Sequence, residues 1–318
     1  MTWHRRAVLG GLATAPLTAT VVAALDQVSF KVPDGACDCH HHVYDPSRWA
    51  YAPAAVLKPP AATIDDYRRY QAQIGTSRSV VVTPSTYEFD NEASADFIRQ
   101  QSGRAVGVAV VPADVDAATL KRLHAAGFRG ARINGAAAGN PLGPDAMEPL
   151  ARRIAPLGWH LQINFNAAQI IQHQETIRGL PVTVVVDHMA GIPGQEGGNS
   201  PAYAALRRFI DGGKTWVKLS SPDSNSKSGP PGYEDRVAIA RALVTAAPER
   251  CVWASNWPFP SNNPASRPDA VLMLDIVKNW APDEKLRHRV LVENPETLYG
   301  FAGGSERSSG PFAPRTPQ

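Results

Sequence analysis

The stretch Asp38-Cys39-His40-His41-His42 puts an aspartate and three histidines within five residues. Successive side chains of a strand point to opposite faces. Asp38, His40 and His42 are therefore expected on one face, and Cys37, Cys39 and His41 on the other. Two imidazoles at i and i+2 converge on one point, where they hold a divalent cation or move a proton near neutral pH. A third candidate, His188, follows a valine-rich run. His160, Gln162, Asn164 and Asn166 alternate with Leu161, Ile163 and Phe165. A strand buried on both faces normally reads as continuously apolar, so this polar face points into a wet interior. Arg132 shares a face with Asn134, Lys218 with Ser220, and Asn256 ends the last such run. Structural readings stay open for each: a hydrogen-bonded buried trio at Asp38, His40 and His42, a capping role for His188, and structural ion pairs for Arg132 and Lys218. Cys37 and Cys39 read as small buried hydrophobes. No G-x-S-x-G turn announces a Ser-His-Asp triad, and no C-x-x-C pair announces structural zinc.

These side chains need elements to carry them. Short β-rich runs fall at 36–42, 79–83, 105–111, 130–134, 159–164, 182–188, 216–220 and 252–256. Helical patterns separate them at 64–74, 91–101, 117–126, 147–157, 170–178, 203–211 and 235–247, with a last helical region at 269–298. Eight strands alternating with helices predict an α/β fold, a single-domain (β/α)8 TIM barrel over 36–301. A doubly wound sheet is the alternative. No glycine-rich dinucleotide fingerprint follows any strand, which weighs against it. In a barrel the candidates gather at the C-terminal ends of the strands, where barrel enzymes keep their chemistry. The loop Pro222-Asp-Ser-Asn-Ser226, running on to Gly232, joins that face.

Composition narrows the partners. Hydrophobic residues are 43% and charged residues 19% of 318. That excludes a disordered chain, and three Cys exclude a disulfide framework. A net charge of +3 with no basic stripe speaks against nucleic acid. Arg5-Arg6 ahead of the weakly apolar, uncharged stretch 7–25 resembles a twin-arginine (Tat) signal, with Val22-Ala23-Ala24 as small residues for cleavage. Pro16 and the threonines make it a poor membrane span, so no stable membrane anchor is expected. The expectation is export by the Tat machinery to the periplasm. Residues 303–318 read as a disordered tail.

Several motifs together resemble the amidohydrolase superfamily (amidohydrolase-related family 2). They are Gly35-Ala-Cys-Asp-Cys-His-His-His-Val-Tyr-Asp-Pro46, Trp49-Ala-Tyr-Ala-Pro53, Gly127-Phe-Arg-Gly-Ala-Arg-Ile-Asn134, Val185-Val-Asp-His-Met-Ala-Gly191, Trp216-Val-Lys-Leu-Ser220, Val252-Trp-Ala-Ser-Asn-Trp-Pro258 and Glu293-Asn-Pro-Glu-Thr-Leu-Tyr-Gly-Phe301. The nearest branch is the 2-pyrone-4,6-dicarboxylate lactonase-like and sugar-lactone hydrolase group, which includes an isomerase of galactarolactone. The resemblance implies a distorted (β/α)8 barrel that opens the ester ring of a small carboxylated or polyhydroxylated lactone. The alternatives are a lactone isomerase working by acyl migration, or a catalytically silent periplasmic ligand-binding protein. The implied catalytic set is His40, His42, His188, Asn256 and Asp38. His40 and His42 would polarise the lactone carbonyl, His188 would be the base, and Asp38 would orient the histidine pair. Tyr51, Arg132, Asn164 and Lys218 would bind substrate. No cofactor is required, or one zinc is held by His40, His42 and His188.

Three departures stand out. The branch often ends strand eight with an acid where this chain has Asn256, and a neutral amide cannot take a proton from water. Strand five offers Gln162 and Asn164 where metal-dependent relatives offer a histidine, and no strand-four lysine is placed for a carbamate. The loop after strand seven lacks the arginine expected for a dicarboxylate substrate.

Overall fold

In the computed structural model, residues 27–136, 140–260 and 267–301 are described. The expected signal at 1–25 and tail at 303–318 lie outside the described residues. The strands are β1 Cys37–His41, β2 Arg78–Val82, β3 Ala105–Ala109, β4 Phe128–Ile133, β5 His160–Ile163, β6 Val184–Val186, β7 Thr215–Leu219 and β8 Cys251–Trp253. All pair in parallel and in chain order. Just beyond β8 the seam returns to β1. Asn256 N donates to His40 O at 2.8 Å, and His42 N donates to Trp257 O at 2.9 Å. The (β/α)8 barrel is therefore the observed fold.

Around it lie α1 Ile64–Ile74, α2 Glu92–Arg99, α3 Ala117–Ala125, α4 Met147–Ile154, α5 Ala167–Gln172, α6 Gln174–Gly179, α7 Pro201–Asp211 and α8 Glu234–Ala246. The chain closes with α9 Ala270–Asp275, α10 Val277–Trp280, α11 Glu284–His288 and α12 Asn294–Tyr299. The helix expected at 170–178 is two, interrupted at His173. It starts earlier because Asn166 and Gln169 form a reciprocal capping box. The last helical region is also broken, where Asp283 caps α11 through Lys285 N and Leu286 N. None of the described helices is long and apolar enough to cross a membrane.

One irregularity changes the reading of the site. The β1–β2 register shifts between Asp38 and His41, and the alternation of β1 resets there. Cys37 and Cys39 join the barrel interior beside Val80, Val106, Val252 and Tyr299. The expectation that they point away from the site is thereby corrected. Asp38 turns outward to the Tyr67 hydroxyl of α1, and His41 stacks on Tyr67 with ring centroids 3.5 Å apart. His40 and His42 both remain inward, their Nε2 atoms 3.2 Å apart.

Candidate active site

A cavity of about 280 Å³ opens at the C-terminal ends of the strands. His42, Arg132, Asn134, Asn164, His188 and Asn256 line it, as do Tyr44, Ser221 and Asn225. Of the residues expected from sequence, His42, His188, Arg132, Asn164 and Asn256 meet there. Four others do not line it. His40 and Lys218 lie beneath, both fully buried. Tyr51 packs behind Tyr44 and gives its hydroxyl proton to Pro59 O at 2.7 Å. Asp38 sits in the seam, accepting from Ser255 N at 2.9 Å and Ser255 Oγ at 2.6 Å. Its link to the histidine pair is the backbone N–H of His40, at 3.2 Å. Burial pushes the Asp38 carboxyl up to about 6 against those hydrogen bonds.

The residue that sequence reasoning missed is Asp187. It is fully buried, and its carboxylate gathers the cluster beneath the cavity. Oδ2 accepts from Arg132 Nε at 3.1 Å and Gln162 Nε2 at 3.0 Å. Oδ1 lies 3.4 Å from Lys218 Nζ and 3.3 Å from His40 Nδ1. Burial alone would raise this carboxyl. Lys218, His40 and Arg132 outweigh burial and hold it well below the usual carboxylate range. A signal was available: Asp187 ends a valine strand in phase with inward-facing Val185.

The proton arrangement follows from one fixed acceptor. His42 Nδ1 lies 2.7 Å from Val82 O, and a carbonyl only accepts. The proton is on Nδ1, so His42 Nε2 has a free lone pair. His40 Nε2 then donates to it, and His40 Nδ1 accepts from Lys218 Nζ at 3.3 Å. Lys218 gives a second proton to Gln162 Oε1 at 2.6 Å. Every polar group in this chain is satisfied. Burial, then the Lys218 ammonium, keeps the His40 imidazole well below its ordinary value. Burial and Arg132 take His42 down to about 3. Both rings are neutral at neutral pH.

His188 is held differently. Its Nδ1 lies 2.7 Å from Ser220 Oγ and 3.1 Å from Ser221 Oγ. Its carbonyl accepts from Arg236, a buried cation on α8, at 3.0 Å. The backbone of His188, Met189 and Ala190 is left-handed at φ 52°, 53° and 55°. Residues with a Cβ pay about 1–2 kcal/mol each for that conformation. The turn swings His188 out of the β6 line and into the cavity wall. Burial lowers its imidazole to about 4, with Asp187 opposing and Arg132 and Lys218 adding to the fall. With Nδ1 engaged by two hydroxyls, Nε2 is the nitrogen left to act on a substrate. The two serines follow β7 and hold the imidazole by its Nδ1.

The imidazole donors suit a divalent ion. His40, Asp187 and His188 offer ligand atoms within 4.8 Å of one another. The Nε2 atoms of His40 and His42 face each other, and His42 Nδ1 is backed by Val82 O, as the second nitrogen of a metal-bound histidine commonly is. A shared proton meets the same geometry. Two cations already neutralise Asp187.

The amidohydrolase family model matches residues 37–301. A 2-pyrone-4,6-dicarboxylate hydrolase of Comamonas testosteroni is 35% identical over 280 residues, 85% of this chain and 92% of that protein. A D-galactarolactone isomerase of Agrobacterium fabrum is 30% identical over 271 residues, covering 84% and 91%. An apo crystal structure of an Agrobacterium tumefaciens protein superposes with a TM-score of 0.78 at 28% identity, covering 85% of this chain and 97% of the other. The match spans every strand that carries the site, and the chain belongs to the amidohydrolase family.

Proposed function

We propose that this enzyme opens the ring of a small carboxylated or hydroxylated lactone by hydrolysis, and that it does so without requiring a metal. The observation that carries the reading is His188: a neutral imidazole anchored through Nδ1, with Nε2 toward a cavity that also holds the Arg132 guanidinium. The hydrolase and isomerase relatives both have lactone-type names, which supports the substrate class.

Arg132 is fixed at Nε by Asp187, so its terminal nitrogens are the part that meets substrate oxygen. His188 takes a proton from the attacking water and returns it to the ring oxygen as the ester bond breaks. Asn256, whose backbone is left-handed at φ 62°, orients water or the carbonyl through its amide. Beneath the cavity two cations, Arg132 and Lys218, face the single carboxylate of Asp187, and this net positive charge favours the carbonyl oxygen as it becomes anionic. A divalent ion, if held by His40, Asp187 and His188 rather than by the three histidines expected from sequence, would polarise the same carbonyl.

A second reading has its own observation. Asn256 stands where the branch often has an acid, so attack by a hydroxyl of the substrate itself, giving an isomerised lactone, needs no external water. A pH-indicator screen of lactones with and without chelator separates the readings. Hydrolysis releases one acid per turnover, and isomerisation releases none. Turnover that disappears with chelator and returns with zinc would overturn the metal-independent reading. Export through the N-terminal twin arginine belongs to the same proposal. It is tested by comparing periplasmic protein from the full chain with that from Arg5→Lys/Arg6→Lys.

A further inference from the structure

Much of the polar lining of the cavity is already committed. Asn164 Nδ2 donates to Asn134 Oδ1 at 2.7 Å. Asn166 caps α5 through Gln169 N at 3.0 Å. Asn225 Nδ2 donates to Gly191 O at 3.0 Å. One polar atom of each of these amides is thereby used inside the protein. Arg132 is the one Arg or Lys among the described residues of the lining. A second carboxylate has no matching cation there.

The opposite wall is apolar. Ala55, Val56 and Leu57, from the β1–α1 loop, line the cavity with Pro84. Val56 is 69% exposed and Leu57 39%, two of the four exposed large hydrophobics among the described residues. Their placement is held from below, where Thr86 Oγ1 donates to Leu57 O at 3.0 Å. Exposed apolar surface continuous with a reactive cavity marks a ligand-binding face.

Resting on the lactone reading above, we infer that the substrate is a lactone bearing one carboxylate, held by Arg132, and one apolar substituent, held by Val56 and Leu57. A dicarboxylate would leave one charge unpaired in the cavity. A polyol would gain nothing from Val56 and Leu57, whose side chains offer no hydrogen-bond partner.

The test compares kcat/KM for four probes: paraconate (5-oxotetrahydrofuran-3-carboxylate), its 2-pentyl derivative, D-glucono-1,5-lactone and 2-pyrone-4,6-dicarboxylate. The pentyl compound is expected to exceed paraconate by about tenfold, mostly through KM, as burial of about two of its methylene groups against this open wall provides. Val56→Ser/Leu57→Ser is expected to bring that ratio close to one. Val56→Ile is expected to keep it. Both positions are exposed, and thermal unfolding of each variant reports whether the fold is intact. Preference for the polyol or the dicarboxylate overturns the inference while leaving lactone chemistry standing. So does a pentyl advantage that survives the double serine variant. No turnover of any of the four overturns the lactone reading and this inference with it.

Discussion

Arg132, Asn134 and Asn164 enter the cavity from β4 and β5 without a left-handed backbone angle among them. Across the mouth, His188, Met189, Ala190, Ser221, Asn225, Asn256 and Phe259 all have φ between 50° and 62°. On the proposed reading, the relaxed side holds the groups that grip and the strained side those that react. A strand tip is enough to present an arginine to a carboxylate. Directing one nitrogen of His188 at a reacting atom takes a turn no ordinary strand makes, and Arg236, Ser220 and Ser221 hold it there. Such strain persists only where the surroundings over-determine it.

If that division is right, variants on the two sides fail differently. His188→Ala is expected to lower kcat by about 10²–10⁴ with a smaller change in KM. A loss under about threefold in single-turnover kinetics would remove it from the mechanism. On the relaxed side, Arg132→Met is expected to raise KM by roughly 10–100-fold, the range for losing a charged hydrogen-bonded contact. Steady-state kinetics showing a dominant kcat loss instead would break the division. Ser220→Ala leaves His188 Nδ1 to Ser221 alone, and about a three- to tenfold fall in kcat is expected at unchanged KM. The smallest effect is structural and compares one change in two places. Ala131→Gly, in β4, removes a buried methyl group and loosens a strand, costing about 1–2 kcal/mol. Ala190→Gly loses a similar methyl group but relieves the left-handed angle, so denaturant unfolding should find it nearly neutral. Equal costs would mean the β6 turn is not strained.

The barrel was legible because eight short β-rich runs alternate with helical patterns, and no glycine-rich fingerprint supports the doubly wound alternative. Of the polar face expected on the fifth strand, Asn164 and Asn166 line the cavity, while His160 and Gln162 are buried below it. Gly130 on the neighbouring strand gives His160 its room: a Cβ there would collide with the imidazole ring. Parity failed at β1, where the shifted register sends Asp38 to the seam and Cys39 inward. An irregularity of one residue leaves no mark in composition. Asp187 was visible as a charge ending an apolar strand, but its four partners come from β1, β4, β5 and β7 and meet only in three dimensions. Ser220 was read on the face of Lys218, but its meeting with His188, like that of Ser221, was hidden for the same reason. Tyr51 and Lys218 have the right chemistry for binding substrate, but Lys218 is buried beneath the wall and half-buried Tyr51 packs behind Tyr44 with its hydroxyl on Pro59 O.

The central claim is that neutral His188 acts as the base without metal. It is tested most directly by the pH dependence of kcat/KM for lactone opening by metal-stripped protein. An imidazole lowered to about 4 is protonated and inactive below that pH and free above it. The rate should therefore rise through about pH 4 and stay flat to neutrality, and this inflection should be missing in His188→Ala. An inflection that survives in His188→Ala, or turnover that returns only when zinc is restored, would contradict the account.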